Sequence, residues 1–116
     1  MMKKLALLLA VVLVLSAPLT VHAATRALSI YPDLAFNGTT ATCDATVLGD
    51  TDSEYIVVTM KLWHGTNCIA SWTDSGYGFV LMNEKCTVTK GQTYKLTVDV
   101  TINGVAKTPV SVSETC

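Results

Sequence analysis

Four cysteines are the residues of this 116-residue chain whose chemistry is easiest to name. Cys43, Cys68, Cys86 and Cys116 each fall on the side of a predicted strand that faces a core. In an oxidising compartment, an even number of cysteines in a short chain favours two disulfide bonds. Of the three possible connectivities we favour Cys68–Cys86 together with Cys43–Cys116. A zinc site is the alternative, but the chain lacks the C-x-x-C pair that is typical of such sites.

An acidic loop could bind a hard cation. Asp50, Asp52 and Glu54 alternate along the chain, and alternate oxygen ligands in a tight loop can converge on a calcium ion. An EF-hand continues with a glycine and ends on a glutamate, whereas here Tyr55 follows and a predicted strand begins. We therefore favour a solvated acidic turn over a calcium site, and we expect no cofactor.

The sequence contains few residues that could form a catalytic site. A serine nucleophile needs a base, and His64 is the one histidine after residue 23. No G-x-S-x-G motif accompanies this histidine, and the cysteines are expected to be oxidised. The sequence therefore predicts a protein that is not an enzyme. A small secreted hydrolase or inhibitor is the alternative.

Aromatic side chains form the best candidate for a binding surface. Tyr55, Lys61 and Trp63 share the outward side of one predicted strand, and Tyr77 lies on a glycine-flanked loop. Exposed aromatic rings stack on sugars and also anchor protein interfaces. We expect an adhesin-like interaction module with an extracellular protein partner, and a carbohydrate-binding module is the alternative. Ordinary packing between neighbouring strands would explain the same residues without a partner.

The elements that carry these residues alternate apolar and polar side chains with a period of two. Asn103-Gly104 adds a strong hairpin signal, and no segment shows a helical stripe. The pattern predicts an all-β antiparallel β-sandwich of about seven strands. The first predicted strand, 26–30, is an edge strand ended by Pro32-Asp33 and the Asn37-Gly38 turn. The other predicted strands cover residues 40–48, 55–64, 68–73, 79–89 with a bulge near 83–84, 94–102 and 106–116.

The first 23 residues have the anatomy of a signal peptide. Lys3 and Lys4 precede an apolar run, and Val21-His22-Ala23 ends the segment with a small-x-small pattern. The apolar run is too short for a membrane anchor. We therefore expect a secreted protein with a signal peptide at 1–23 and one domain at 24–116. That domain keeps six basic and nine acidic residues, a net charge of −3, which argues against nucleic-acid or membrane partners.

Several motifs resemble known proteins. Segment 91–96, GQTYKL, is similar to the start of the sixth strand of immunoglobulin-like sandwiches, where the tyrosine hydroxyl pins the preceding turn. The resemblance places Cys43 on the second strand, whereas Leu96 replaces its usual cysteine partner. It also puts Trp63 out of phase for the buried tryptophan, which leaves Trp72 as the core candidate. The wider layout, ATC at 41–43, VTMKL at 58–62, SWT at 71–73 and the segment 90–104, resembles small secreted immunoglobulin-like proteins of Gram-positive, gut-type bacteria.

Overall fold

The computed structural model describes residues 28–116, so the predicted signal peptide lies outside the described residues. This part of the chain forms antiparallel strands and confirms the predicted all-β sandwich. It contains no helix long and apolar enough to cross a membrane. The strands are β1 (Ser29–Asn37), β2 (Thr40–Leu48), β3 (Tyr55–His64), β4 (Asn67–Tyr77), β5 (Phe79–Thr87), β6 (Thr93–Ile102), β7 (Val105–Ala106) and β8 (Val110–Thr115).

Two sheets make up the sandwich. The three-stranded sheet has the order β1-β2-β5, and the five-stranded sheet has the order β4-β3-β6 with both β7 and β8 on the far side of β6. Asn103 and Gly104 both have a positive φ, which is the geometry that a two-residue hairpin turn requires. The predicted hairpin after β6 is therefore confirmed. Pro109 lies between β7 and β8, and it lacks the N–H that a continuous strand would need.

The core lies between the sheets and follows the predicted alternation. The β2 side chains that point inward are small, whereas those of β3 and β6 are large, and together they form one buried cluster. Alternating small and large residues across a core gives dense packing without voids. The fully buried side chains of largest volume are Ile56, Met60, Leu62, Leu96, Val47, Val58, Val98, Val100 and Cys43.

The contact implied for Tyr94 is present. Its hydroxyl accepts a hydrogen bond from the Thr89 backbone N–H at 2.8 Å, which pins the turn before β6. The Tyr94 ring is buried, and its centroid lies 5.9 Å from that of Phe36 and 5.2 Å from that of His64. Leu96 fills a fully buried position two residues later, and Trp72 packs half-buried against the core as expected.

The first strand was predicted to end at residue 30, and this boundary is wrong. β1 continues through Pro32 and Asp33 to Asn37, where the Asn37-Gly38 turn begins. Proline is tolerated because β1 is the edge of its sheet and pairs only with β2 on one side. The edge position therefore lets the strand continue past the proline that was expected to end it.

The strands on either side of Gly78 also differ from the prediction. Residues 74–77 belong to β4 instead of a loop, and Gly78 alone separates β4 from β5. β5 pairs with β2 without a register shift, so the bulge expected near 83–84 is absent. The irregularity occurs in β4 instead, where Leu62 pairs with Ala70 but Trp63 pairs with Cys68, leaving Ile69 as the extra residue.

Candidate binding surface

The predicted aromatic strip lies on the outer face of the five-stranded sheet. β3 runs between β4 and β6, so Tyr55, Lys61 and Trp63 project from an interior strand of this face, while the alternate β3 side chains enter the core. The residues between them on the strip are Val57 and Thr59, both half-buried. The outward phase of the strip is thus as predicted.

Trp63 stands at one end of this strip, in a polar and basic setting. Its indole N–H donates a hydrogen bond to the Thr97 hydroxyl at 3.0 Å, which fixes the ring on the sheet. The Lys61 ammonium lies 6.0 Å from the centroid of the ring, within range of a cation–π contact. Lys95 is the direct cross-strand partner of Trp63 on β6. Two lysine residues therefore lie next to a single indole that a hydrogen bond holds in place.

An open cavity of about 360 Å³ adjoins this tryptophan, and it is lined by Trp63, Gly65, Thr66, Lys95 and Thr97. Gly65 has a φ of 61° in the turn between β3 and β4, a conformation in which glycine is favoured. We call these five residues together with Lys61 the Trp63 surface. It combines an apolar ring, hydroxyl groups and positive charge, which suits a ligand with a flat apolar part and an acidic group.

Tyr55 and Tyr77 form a second, separate pair. Their ring centroids lie 5.1 Å apart with the planes tilted by 54°, and the Tyr77 side chain is 67% exposed. Tyr55 begins β3 and Trp63 stands eight residues later, which is roughly 26 Å at 3.3 Å per residue of strand. The four predicted binding residues therefore belong to two groups at opposite ends of the sheet.

The cysteines are free thiols in the structure, and no pair among residues 28–116 lies at disulfide distance. The expected Cys43–Cys116 bridge is not formed because the register separates its partners. Cys43 pairs with Leu34 in the middle of the β1–β2 ladder, whereas the Cys116 thiol lies 3.4 Å from the Gly38 carbonyl at the turn. Five residues of strand, roughly 16 Å, separate Gly38 from Cys43.

Cys68 fails to meet Cys86 because of the bulge in β4. The extra residue, Ile69, reverses the alternation, so Cys68 pairs with outward-facing Trp63 and is exposed. Cys86 stays on the inward side of β5, where it is half-buried. The inward phase predicted for Cys68 was therefore wrong, and with it the geometry on which the expected Cys68–Cys86 bridge relied.

The thiol of Cys43 is buried in the core. Burial raises its pKa from 9.0 to about 12, and the negative potential of Cys86, Asp44 and Glu84 acts in the same direction. A thiol with so high a pKa stays protonated at neutral pH and is a poor nucleophile. Cys43 thus acts as a small apolar core residue in the structure.

The acidic loop is organised around Glu54. Its carboxylate accepts hydrogen bonds from the backbone N–H groups of Asp50 at 2.7 Å and Thr51 at 3.2 Å. Residues 28–116 contain no cluster of three His, Cys, Asp or Glu side chains that could hold a metal ion. The candidate set Asp50, Asp52 and Glu54 is therefore not assembled as ligands, because Glu54 caps the loop's own amides.

His64 likewise has structural partners. Its Nε2 lies 3.1 Å from the Gln92 side-chain oxygen, and its ring stacks near Tyr94. These contacts join the end of β3 to the turn before β6. They give the histidine a packing role, and neither contact is with the hydroxyl of a serine or threonine.

The sequence interpretation missed an apolar patch on the outer face of the three-stranded sheet. Its members are large side chains that are 39–61% exposed: Tyr31, Leu48, Phe79 and Leu81. Leu48 pairs with Phe79, and Tyr31 and Leu81 both flank Thr46 in the next cross-strand row. The alternation of Phe79 and Leu81 with buried Val80 and Met82 was the available signal, since it puts two apolar residues on the wet side of β5.

Comparison with solved structures finds similar chains, one of which is a solution structure. The solution structure of CsgH from R. palustris is similar to this chain with a TM-score of 0.45 and 10% sequence identity, over 77% of this chain and 92% of that chain. No family model matches the chain. No curated protein matches it in sequence.

Proposed function

We propose that this chain is a secreted, non-enzymatic β-sandwich that binds an extracellular partner through the Trp63 surface, in the manner of an adhesin. The observation that carries the proposal is the fixed indole of Trp63 beside an open cavity, with Lys61 and Lys95 next to it. Tryptophan is enriched at the centres of protein interfaces because it buries a large rigid area at low entropic cost. The basic n-region and apolar run at the start of the sequence support export.

The same surface supports a carbohydrate as the second candidate partner. Sugar rings stack on indole faces through their C–H groups, and the hydroxyl groups of Thr66 and Thr97 can hydrogen-bond to a sugar. Lys61 and Lys95 would favour a glycan that carries a carboxylate or sulfate group. A neutral glycan would leave both ammonium groups unused.

Binding assays with three variants test the proposal. We would measure attachment of the labelled protein to cell surfaces and to a glycan array, and compare Trp63→Ala and Lys95→Glu with Lys90→Glu. Lys90 is an exposed lysine that lies outside the Trp63 surface, so its reversal controls for the change in net charge. Melting curves of all variants would establish that each one folds.

The outcomes separate the candidates. Loss of cell or protein binding in Trp63→Ala and Lys95→Glu, with no signal on the array, supports a protein partner. Binding of acidic glycans that disappears in the same two variants supports the carbohydrate-binding alternative. Binding that survives Trp63→Ala unchanged would refute any role of the Trp63 surface. Hydrolytic activity abolished by His64→Ala would contradict the non-enzymatic proposal itself.

A further inference from the structure

The apolar patch has an acidic border. Asp33 on β1 and Asp44 on β2 are direct cross-strand partners in the row next to Tyr31 and Thr46. Both project outward, because the alternate residues of the two strands, Leu34 and Cys43 among them, are buried. Two carboxylates directly opposite each other on a sheet repel, and this arrangement destabilises the isolated sheet.

Within residues 28–116, neither carboxylate has an ion pair with a basic side chain, and this face carries one lysine in the neighbouring row. Asp44 accepts a hydrogen bond from the Asn83 side chain. Lys85 is the one basic residue on the outer face of these three strands, and it pairs with Thr42 in the following row. The acidic row thus stands between the apolar patch and a single lysine.

The patch groups large apolar side chains that are unusually exposed. Tyr31, Phe79 and Leu81 are each more than half exposed, and with Leu48 they surround Thr46 on three adjacent strands. Clustered exposed apolar side chains of this kind often mark a binding site. Phe79 and Leu81 lie on an edge strand, so a partner can approach from the side as well as from above.

We propose that the outer face of the three-stranded sheet docks a polypeptide segment that carries aromatic or aliphatic side chains next to lysine or arginine. The apolar side chains of the segment cover the patch, and its cation lies between Asp33 and Asp44. The pair of carboxylates selects against an anionic membrane surface and against an acidic peptide, since either would add to the existing repulsion. This surface is on the other sheet from the Trp63 surface and does not depend on the function proposed for it.

Two synthetic peptides test the proposal. In one, leucine and phenylalanine alternate with lysine, and in the other the same apolar residues alternate with glutamate. Each is titrated into isotope-labelled protein while backbone amide shifts are followed by NMR. We expect the lysine peptide to shift amides of β1, β2 and β5 around Thr46 and Asp44, with an affinity that falls as salt rises. The glutamate peptide should leave these amides unchanged.

Variants on the two sheets give the matched comparison. The double variant Phe79→Ser/Leu81→Ser should weaken binding of the lysine peptide about tenfold or more, as expected for exposed interface anchors. Asp33→Asn/Asp44→Asn should weaken it and remove most of its salt dependence. Ile69→Ser, which removes an exposed apolar side chain from the five-stranded sheet, should leave the affinity unchanged.

Three results would overturn the proposal. Equal binding of the two peptides would show that the carboxylates select nothing. Amide shifts confined to β3, β4 and β6 would place the contact on the other sheet. Concentration-dependent self-association that disappears in Phe79→Ser/Leu81→Ser would mean that the patch is covered by a second copy of this chain. The NMR map uses the unmodified protein, so the test stands even where a variant fails to fold.

Discussion

Replacement of Tyr94 by phenylalanine isolates the contact that fixes the turn before β6. The variant keeps the buried ring between Phe36 and His64 and removes only the hydroxyl that accepts the Thr89 N–H at 2.8 Å. A hydrogen bond of this kind contributes about 1 kcal/mol net, and an amide left partly buried without a partner adds to the loss. We therefore expect the free energy of unfolding to fall by about 1–2 kcal/mol.

Thermal unfolding and amide exchange together measure this effect. For a domain of this size, a loss of about 1.5 kcal/mol lowers Tm by roughly 6–12 °C. The Thr89 amide should exchange faster with solvent in the variant, whereas amides in the middle of β3 keep their protection. Tyr77→Phe is the matched control, because Tyr77 is 67% exposed and should change stability by less than about 0.5 kcal/mol.

A Tyr94→Phe variant that melted at the same temperature as Tyr77→Phe would refute the role of this hydrogen bond. The same conclusion would follow if the Thr89 amide kept its protection in the variant, since another acceptor would then hold the turn. A large loss of stability with unchanged Thr89 exchange would point to altered packing of the ring instead of the lost hydrogen bond.

Two further predictions concern the thiols. The pKa of Cys43 is raised in the folded state from 9.0 to about 12, so the stabilisation that the protonated thiol provides is complete below pH 9 and is lost as pH rises towards 12. Denaturant titrations between pH 9 and 12 should show the free energy of unfolding falling by at most about 1.4 kcal/mol per pH unit, and by less in Cys43→Ala. The same fall with pH in Cys43→Ala as in the unmodified protein would contradict this prediction. In reduced, folded protein, iodoacetamide should label exposed Cys68 first and buried Cys43 only on unfolding. Peptide mapping of samples taken over time measures the order of labelling. Early labelling of Cys43 would contradict the prediction and would show that the core opens readily.

Much of the architecture was predictable because one periodicity governs most of the chain. β3 and β6 alternate so regularly that their bounds, faces and buried residues follow from the pattern. The turn at Asn103-Gly104 and the hydrogen bond of Tyr94 could also be predicted, since each depends on a short local motif. What these features share is that neighbouring residues alone determine them.

The errors arose where the local signals are insufficient. Pro32 predicts the end of an edge strand, and β1 does lie at a sheet edge, but this position lets the strand continue through the proline to Asn37. The bulge at Ile69 has no signature in its own sequence, and yet it turns Cys68 outward to lie beside Trp63. A single inserted residue moves the β4 side chains that precede it to the opposite face of the sheet. The Cys68–Cys86 pairing was inferred from the alternation alone, so the bulge removes its basis.

The two proposed surfaces differ in charge and lie on opposite sheets. Lys61 and Lys95 make the Trp63 surface basic, whereas Asp33 and Asp44 give the apolar patch an acidic border. Because the shared core separates them and no side chain belongs to both, substitutions in one surface should leave affinity at the other unchanged, and their effects should add in combined variants. One partner with a mixed surface would instead need both faces of the sandwich at once. Independent binding is therefore the simpler consequence of this geometry, and it allows one small domain to hold two different partners together.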